Sequence, residues 1–227
     1  NEVTRLSNDV FTMDKILLGD VFIRGGSSSG THVLEEGRPI GQFYGLVCNG
    51  IDENGRYILV DKDGDGEISD PADYDYIGSA QPKLTYGITN SLLYKNFDLS
   101  FFLRGTIGND ILNATRMAYA QSGFLPGTNA LDDPLTYTLS ETPRFSNYYL
   151  EKGSFMRLDN LTLGYKIKAL NGIRVYFTAQ NLFVITKYKG LDPEVPMDSG
   201  DGLTPGVEPR EFYPKARTFS VGLNLNF

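Results

Sequence analysis

Tryptophan is absent from this 227-residue chain, and cysteine and histidine occur once each. A single cysteine, Cys48, has no partner for an internal disulfide, which excludes a disulfide-stapled secreted fold. A single histidine, His32, makes a histidine-based metal or catalytic site unexpected, and the residue reads as part of a loop. Positive charge is in deficit: the formal net charge is −7, which argues against nucleic acid as a partner. No stretch approaches the roughly 20 apolar residues of a membrane helix. The opening Asn1-Glu2-Val3-Thr4 has no leader character and reads as a mid-protein start. If the protein is exported, this chain is then a piece of something longer.

What is present is alternation. Residues 218–227 place Phe219, Val221, Leu223, Leu225 and Phe227 against Thr218, Ser220, Gly222, Asn224 and Asn226. Successive side chains of a strand face opposite ways, so one face is oily and the other is small or polar. A run of about ten such residues, closed by an aromatic, has the form of an outer-membrane barrel strand. The chain also carries 14 tyrosines and 14 phenylalanines. These suit two membrane interfaces and an all-β soluble core equally.

Further strands are expected over 83–93, 96–107, 154–168, 172–186 and 216–227. Short links near Lys95-Asn96 and at 169–171, where Asn171-Gly172 signals a hairpin, alternate with long connections at 49–82, 108–153 and 187–215. Short turns on one side and long loops on the other are the barrel pattern. With the chain ending in the periplasm, every long connection falls outside. Asp98, Arg104, Lys166 and Arg174 share the polar parity, as expected if charge on a lipid face costs about 2–4 kcal/mol. Arg157 and Asp159 take the oily parity, which places 155–159 above the membrane. Residues 15–23 suit one strand. Residues 24–31 read as a flexible linker by composition, without the spacing of a phosphate loop.

Asp61-Lys62-Asp63-Gly64-Asp65-Gly66-Glu67-Ile68 matches the opening of a calcium loop. Carboxylates at Asp61, Asp63 and Asp65 can converge on one hard cation, Gly66 permits a sharp turn, and Glu67 offers its carbonyl. The twelfth position is Ala72, so Asp70 or Asp73 would have to complete the shell. One structural Ca²⁺ is the expected ion, and a solvated acidic hairpin loop is the alternative. The stretch 49–80 holds nine acids against Arg56 and Lys62, and such a stretch repels itself without a cation. No catalytic constellation stands out, so the chain is not expected to be an enzyme.

Several motifs, in order, carry a resemblance. They are Gly37-Arg38-Pro39-Ile40-Gly41-Gln42-Phe43-Tyr44-Gly45, the Asp61–Gly66 run, Ile77-Gly78-Ser79-Ala80-Gln81-Pro82 and Tyr94-Lys95-Asn96-Phe97-Asp98. Phe155-Met156-Arg157-Leu158-Asp159-Asn160 and Asn181-Leu182-Phe183-Val184-Ile185-Thr186-Lys187-Tyr188-Lys189-Gly190-Leu191-Asp192-Pro193-Glu194 follow, then Tyr213-Pro214 and the final Phe227. Together they resemble the C-terminal part of SusC/RagA-type TonB-dependent transporters over most of 37–227, with 1–36 as an upstream strand and linker.

The resemblance implies an all-β fold: antiparallel up-and-down strands forming a segment of a large, roughly 22-stranded transmembrane β-barrel with long extracellular loops. It implies TonB-dependent import of oligosaccharides or peptides across the bacterial outer membrane. The partners implied are a SusD-like lipoprotein, TonB through an N-terminal part outside this chain, and the lipid bilayer. Five or six strands leave open edges and make no pore alone. The competing expectation is a secreted calcium-stabilised β-sandwich that binds carbohydrate. The two differ in whether the oily strand faces pack on one another or form one outward belt. Tyr137, Phe145, Tyr148 and Tyr149 suit sugar stacking, loop packing and lipoprotein contact alike.

Overall fold

The computed structural model describes residues 2–6, 13–23, 26–123, 125–168, 173–195, 202–209 and 213–225, without the side chains of 26–29. The chain divides into two compact units. Unit 1 comprises Asn1–Gln81, Asn109–Lys152 and Tyr188–Phe212; unit 2 comprises Pro82–Gly108, Gly153–Lys187 and Tyr213–Phe227.

Unit 2 is one antiparallel sheet. Its strands are β7 (Leu84–Tyr94), β8 (Phe97–Ile107), β11 (Phe155–Ile167), β12 (Ile173–Thr186) and β13 (Thr218–Asn224), in the order β13-β12-β11-β8-β7. The two expected hairpins are present, and β13 pairs antiparallel with β12. Lys95, at φ 57°, makes the tight turn between β7 and β8. The link at 169–171, Asn226 and Phe227 lie outside the described residues. All three long connections leave or rejoin this sheet at one end, because each antiparallel strand reverses the last.

The register assembles one apolar face. Leu92 opposes Leu99, Leu99 opposes Leu163, Leu163 opposes Phe177, and Phe177 opposes Val221. These side chains are open: Leu92 is 53% exposed, Leu163 45% and Val221 76%. Among the described residues no second sheet of unit 2 covers them, so the oily faces form a belt and not a sandwich core. The other face carries Asp98, Arg104, Thr162, Arg174 and Thr178.

The parity break at 155–159 has a local cause. Both ladders of β11 shift register between Leu158 and Asn160. Asp159 is an extra residue, a β-bulge, and it resets the alternation. Arg157 pairs directly with Arg104 and thereby joins the polar face, while Leu158 opposes Leu103 on the oily one. Placing 155–159 above the membrane to explain the break is therefore unnecessary. On β12 the matching irregularity falls at Asn181, whose φ is 50°.

Unit 1 gathers the N-terminal residues and the long connections around one core. Strands β1 (Lys15–Ile23), β2 (Gly26–Glu35), β3 (Gln42–Leu46) and β6 (Tyr74–Ser79) form a sheet in that order. Strands β4 (Cys48–Ile51) and β5 (Tyr57–Leu59) pair with each other, as do β9 (Asp110–Leu112) and β10 (Leu150–Lys152). Two short helices follow β9, α1 (Ala114–Tyr119) and α2 (Pro134–Thr138). Val21, Phe43, Tyr57, Leu112, Met117, Leu135, Phe145 and Tyr149 share one hydrophobic cluster. Each buries a side chain that contributes roughly 1.5–3 kcal/mol on removal from water.

Two expectations for the first 40 residues are corrected. From Gly26 the presumed linker is strand β2, zipped to β1 from Ile23↔Gly26 to Lys15↔Glu35. Its serines and glycines carry little side-chain signal, and the strand is held by backbone pairing. His32 is not in a loop. It lies fully buried in β2, against the Phe43 ring, and its Nε2 donates to the Pro205 carbonyl at 2.9 Å.

Candidate functional site

The acidic loop lies in unit 1 between β5 and β6. Asp61, Asp63 and Asp65 bring one carboxylate oxygen each within 4.8 Å of the others. The backbone is wound to make this possible. Asp61 accepts from the N–H groups of Gly64 at 2.7 Å and Gly66 at 2.9 Å. Asp63 accepts from Asp65, and Asp65 from Glu67. Gly64 and Gly66 both sit in the left-handed region that favours glycine.

The other two carboxylates proposed for this shell have separate partners. Asp73 is buried and accepts from Lys62 N–H at 2.6 Å and Ser69 N–H at 2.8 Å, tying the loop's ends together. Asp70 forms an ion pair with Arg144 at 2.7 Å. Glu67 is exposed, and its N–H is held by Asp65.

The electrostatics differ between these acids. The Ser69 and Lys62 N–H groups hold the Asp73 carboxyl below the ordinary carboxylate range, against the loss of water. Asp63 moves upward. Its largest influence, the Asp65 N–H, favours the charged form, but desolvation and the charges of Asp65, Asp73 and Asp61 outweigh it. A cation placed among the three converging carboxylates would relieve that repulsion. The oxygen-only donor set suits Ca²⁺ chemistry.

Tyr137, Phe145, Tyr148 and Tyr149 of the 108–153 connection separate by burial. Phe145 and Tyr149 are core residues, and Tyr148 packs against the same core. The Tyr149 hydroxyl bonds that of Tyr57, and burial pushes the Tyr57 phenol up to about 12. Sugar stacking is thus excluded for Phe145 and Tyr149, while Tyr137 stays open to solvent.

Sequence reading passed over a second polar assembly. At α1, Arg116 lies over the Tyr148 ring and binds Asp133 through Nε at 2.9 Å. Asp133 also caps α2 by accepting from Leu135 N–H. Desolvation acts upward on Asp133, but donation from Arg116 and Leu135, with the Arg116 charge, holds its carboxyl low. Glu151 accepts from Asn113 Nδ2 and from Lys189 N–H, and Glu208 from Leu191 N–H. The 108–153 and 187–215 connections are joined through the Glu151 carboxylate.

No family model matches the chain. TonB-dependent receptor P3 of Formosa agariphila is 34% identical over 237 residues, covering 87% of this chain and 23% of the relative. TonB-dependent receptor SusC of Bacteroides thetaiotaomicron is 35% identical over 246 residues, covering 100% of this chain and 23% of the relative. Structures titled as the RagAB peptide transporter and as the RagAB peptide importer in the open-open state align with TM-scores of 0.72 and 0.68. Each is 25% identical and is matched over 98% of this chain and 25% of the solved chain. The chain thus spans about a quarter of the length of the proteins it matches. Motif order, the antiparallel sheet with one open apolar face, and these likenesses agree: the chain is a fragment of a SusC/RagA-type TonB-dependent receptor.

Proposed function

We propose that this chain is part of an integral outer-membrane importer that takes up oligosaccharides or peptides in a TonB-dependent manner with a SusD-like lipoprotein. The observation that carries the reading is the two-faced sheet of unit 2. Its oily side suits lipid and its ion-paired side suits a polar interior. The likeness to SusC and to the RagAB importer supports the lipoprotein partner and the import role. TonB would act through parts of the receptor outside this chain.

The test uses the intact receptor in its native bacterium. Val221→Asp puts charge on the open face and should abolish outer-membrane assembly and uptake. Ser220→Asp on the opposite face should retain assembly. Equal tolerance of both substitutions contradicts a lipid-facing belt.

Within unit 1, we propose that Asp61, Asp63 and Asp65 hold one structural Ca²⁺ with the Glu67 carbonyl. The convergence of the three carboxylates, and the upward push on Asp63, support it. Asp70 and Asp73 then act on the loop's scaffold, through Arg144 and the loop amides. Calorimetry on the intact receptor tests this ion directly.

A further inference from the structure

Unit 2 is charged unlike the chain as a whole. The net charge of the chain is −7, yet the segments of unit 2 hold ten lysines and arginines against two acids, Asp98 and Asp159. Both acids are ion-paired, to Arg174 and Arg104, on the polar side of the sheet. The remaining charge is cationic and lies toward the strand ends, where a membrane tolerates it at little cost.

One group of these cations continues the oily face. On β12 the apolar parity runs through Phe177, Phe183 and Ile185 and then reaches Lys187. On β13 the same parity, read back from Phe219, reaches Arg217, Lys215 and Tyr213. Strand β13 pairs with β12 as far as Thr218 opposite Gln180. Beyond that, Asn181 Nδ2 donates to the Ala216 carbonyl at 3.1 Å, which keeps Ala216 beside β12. Lys187, Arg217, Lys215 and Tyr213 are all exposed, as are the apolar Phe183, Ile185 and Phe219. Two neighbouring strands thus end an open apolar surface in ammonium, guanidinium and phenol groups, where the 187–215 connection leaves and rejoins the sheet.

A dissolved anion would use these cations and leave the apolar surface wet. A neutral lipid would use the apolar surface and leave the cations without a counter-charge. A lipid with a phosphate head and acyl tails uses both. The Arg217 fork matches phosphate oxygens two at a time, Lys187 adds a compact charge, and a tyrosine suits the interfacial depth.

We propose that Lys187, Arg217 and Lys215, with Tyr213, seat the phosphate of a membrane lipid whose acyl chains lie along Phe183, Ile185 and Phe219. The proposal rests on the outer-membrane reading and deepens it by assigning a headgroup site to the end of the sheet that bears the long connections.

The test is native mass spectrometry of the intact, detergent-purified receptor with added diphosphoryl lipid A, or with the same lipid freed of both phosphates. Each cation near an anionic headgroup contributes about fivefold, so the receptor should retain the phosphorylated lipid at least about tenfold better. Lys187→Gln combined with Arg217→Gln should reduce that preference to under about threefold. Lys95→Gln, in the turn between β7 and β8 at the other end of the sheet, should leave it unchanged. The melting temperature of the double variant separates lost binding from lost fold, and exposed Arg217→Gln alone, with a smaller loss of preference, carries the test if the double variant fails to fold. Equal retention of the two lipids, an undiminished preference in these variants, or the same loss in Lys95→Gln overturns the proposal. Displacement of the lipid by an equal concentration of inorganic pyrophosphate assigns the rim to soluble phosphates and overturns it as well. The two readings fail separately. A receptor that assembles in the outer membrane without any phosphate preference sinks the headgroup site alone, whereas tolerance of Val221→Asp sinks the lipid-facing belt itself.

Discussion

Asp98 and Arg174 are joined by a two-pronged ion pair, 2.9 and 2.5 Å, although their strands do not touch. Strand β11 runs between β8 and β12, and the pair crosses it over Gly164. A Cβ at 164 would stand 2.4 Å from Asp98 Oδ1 and 2.5 Å from Arg174 Nη2. Arg174 also lies over the Tyr176 ring, which itself occupies the space above Gly222. Missing side chains on alternate strands thus let long polar ones reach across.

Gly164→Val should therefore separate the pair and lower the melting temperature of the detergent-solubilised receptor. Overpacking of this kind costs about 1–3 kcal/mol. Restoring the space by adding Asp98→Ser should recover part of the loss. Equal melting of wild type and Gly164→Val would show that the bridge does not depend on that glycine.

Deleting Asp159 should be tolerated about as well as replacing it. Removal seats Leu158 directly before Asn160, as Leu103 and Phe102 adjoin on β8, so Arg157 stays opposite Arg104 on the polar face. Asp159→Gly keeps the extra residue and loses only the ion pair with Arg104 at 3.1 Å. Heat-modifiability on gels should show folded barrel for both variants. Loss of folded barrel in the deletion alone contradicts the reading of Asp159 as an extra residue.

Much of unit 2 was legible because alternation is a local property. Each strand from 83 onward announces its faces without reference to its neighbours. The bulge was visible only as a break, since Asp159 carries no mark that distinguishes an extra residue from a change of environment. Residues 26–31 misled for the opposite reason. Serine and glycine give no face, and the strand exists through its partner β1. In the acidic loop, D-x-D-x-D spacing found the three converging carboxylates. The tasks of Asp70 and Asp73 depend on Arg144 and on the Lys62 and Ser69 amides, which no local pattern reveals.

Acid should loosen the 61–73 loop through Asp73. Its folded carboxyl is held low, so its stabilising contribution is complete above the ordinary carboxylate value of about 3.9. It is lost as pH falls through the lower folded value. Protection of the Lys62 and Ser69 amides against hydrogen exchange, taken relative to the free-chain rate at each pH, should be high near neutrality and fall below about pH 4. Asp73→Asn should exchange faster at neutral pH, and an unchanged profile would remove Asp73 from this role.

Calcium affinity should also fall with acid, through Asp63. Asp63 is raised in the folded protein, so protons are favoured on it there, and that contribution fades as pH rises through the raised folded value. Ca²⁺ competes with the proton. Calorimetry should show affinity increasing with pH through the acidic range and reaching a plateau above it. Asp63→Ala should weaken binding by about tenfold or more. Wild-type affinity in that variant would dismiss the site.

Expressed alone without detergent, residues 1–227 should aggregate. Strands β7 and β13 are unpaired edges, and the apolar belt of unit 2 faces outward. Light scattering and size exclusion provide the measurement. A soluble monomer with a single cooperative melt is the contrary result.

The His32–Pro205 hydrogen bond closes over a sequence separation of 173 residues. Its two ends emerge from the ribosome widely separated in time, with strands β7, β8, β11 and β12 made in between. Unit 1 therefore cannot complete its packing while those strands are being synthesised. Its N-terminal hairpin must wait, with the seat for Pro205 unfilled. Closure over so long a loop is entropically late. A receptor stalled or truncated before residue 202 would leave the buried His32 ring without the Pro205 carbonyl it bonds in the finished chain.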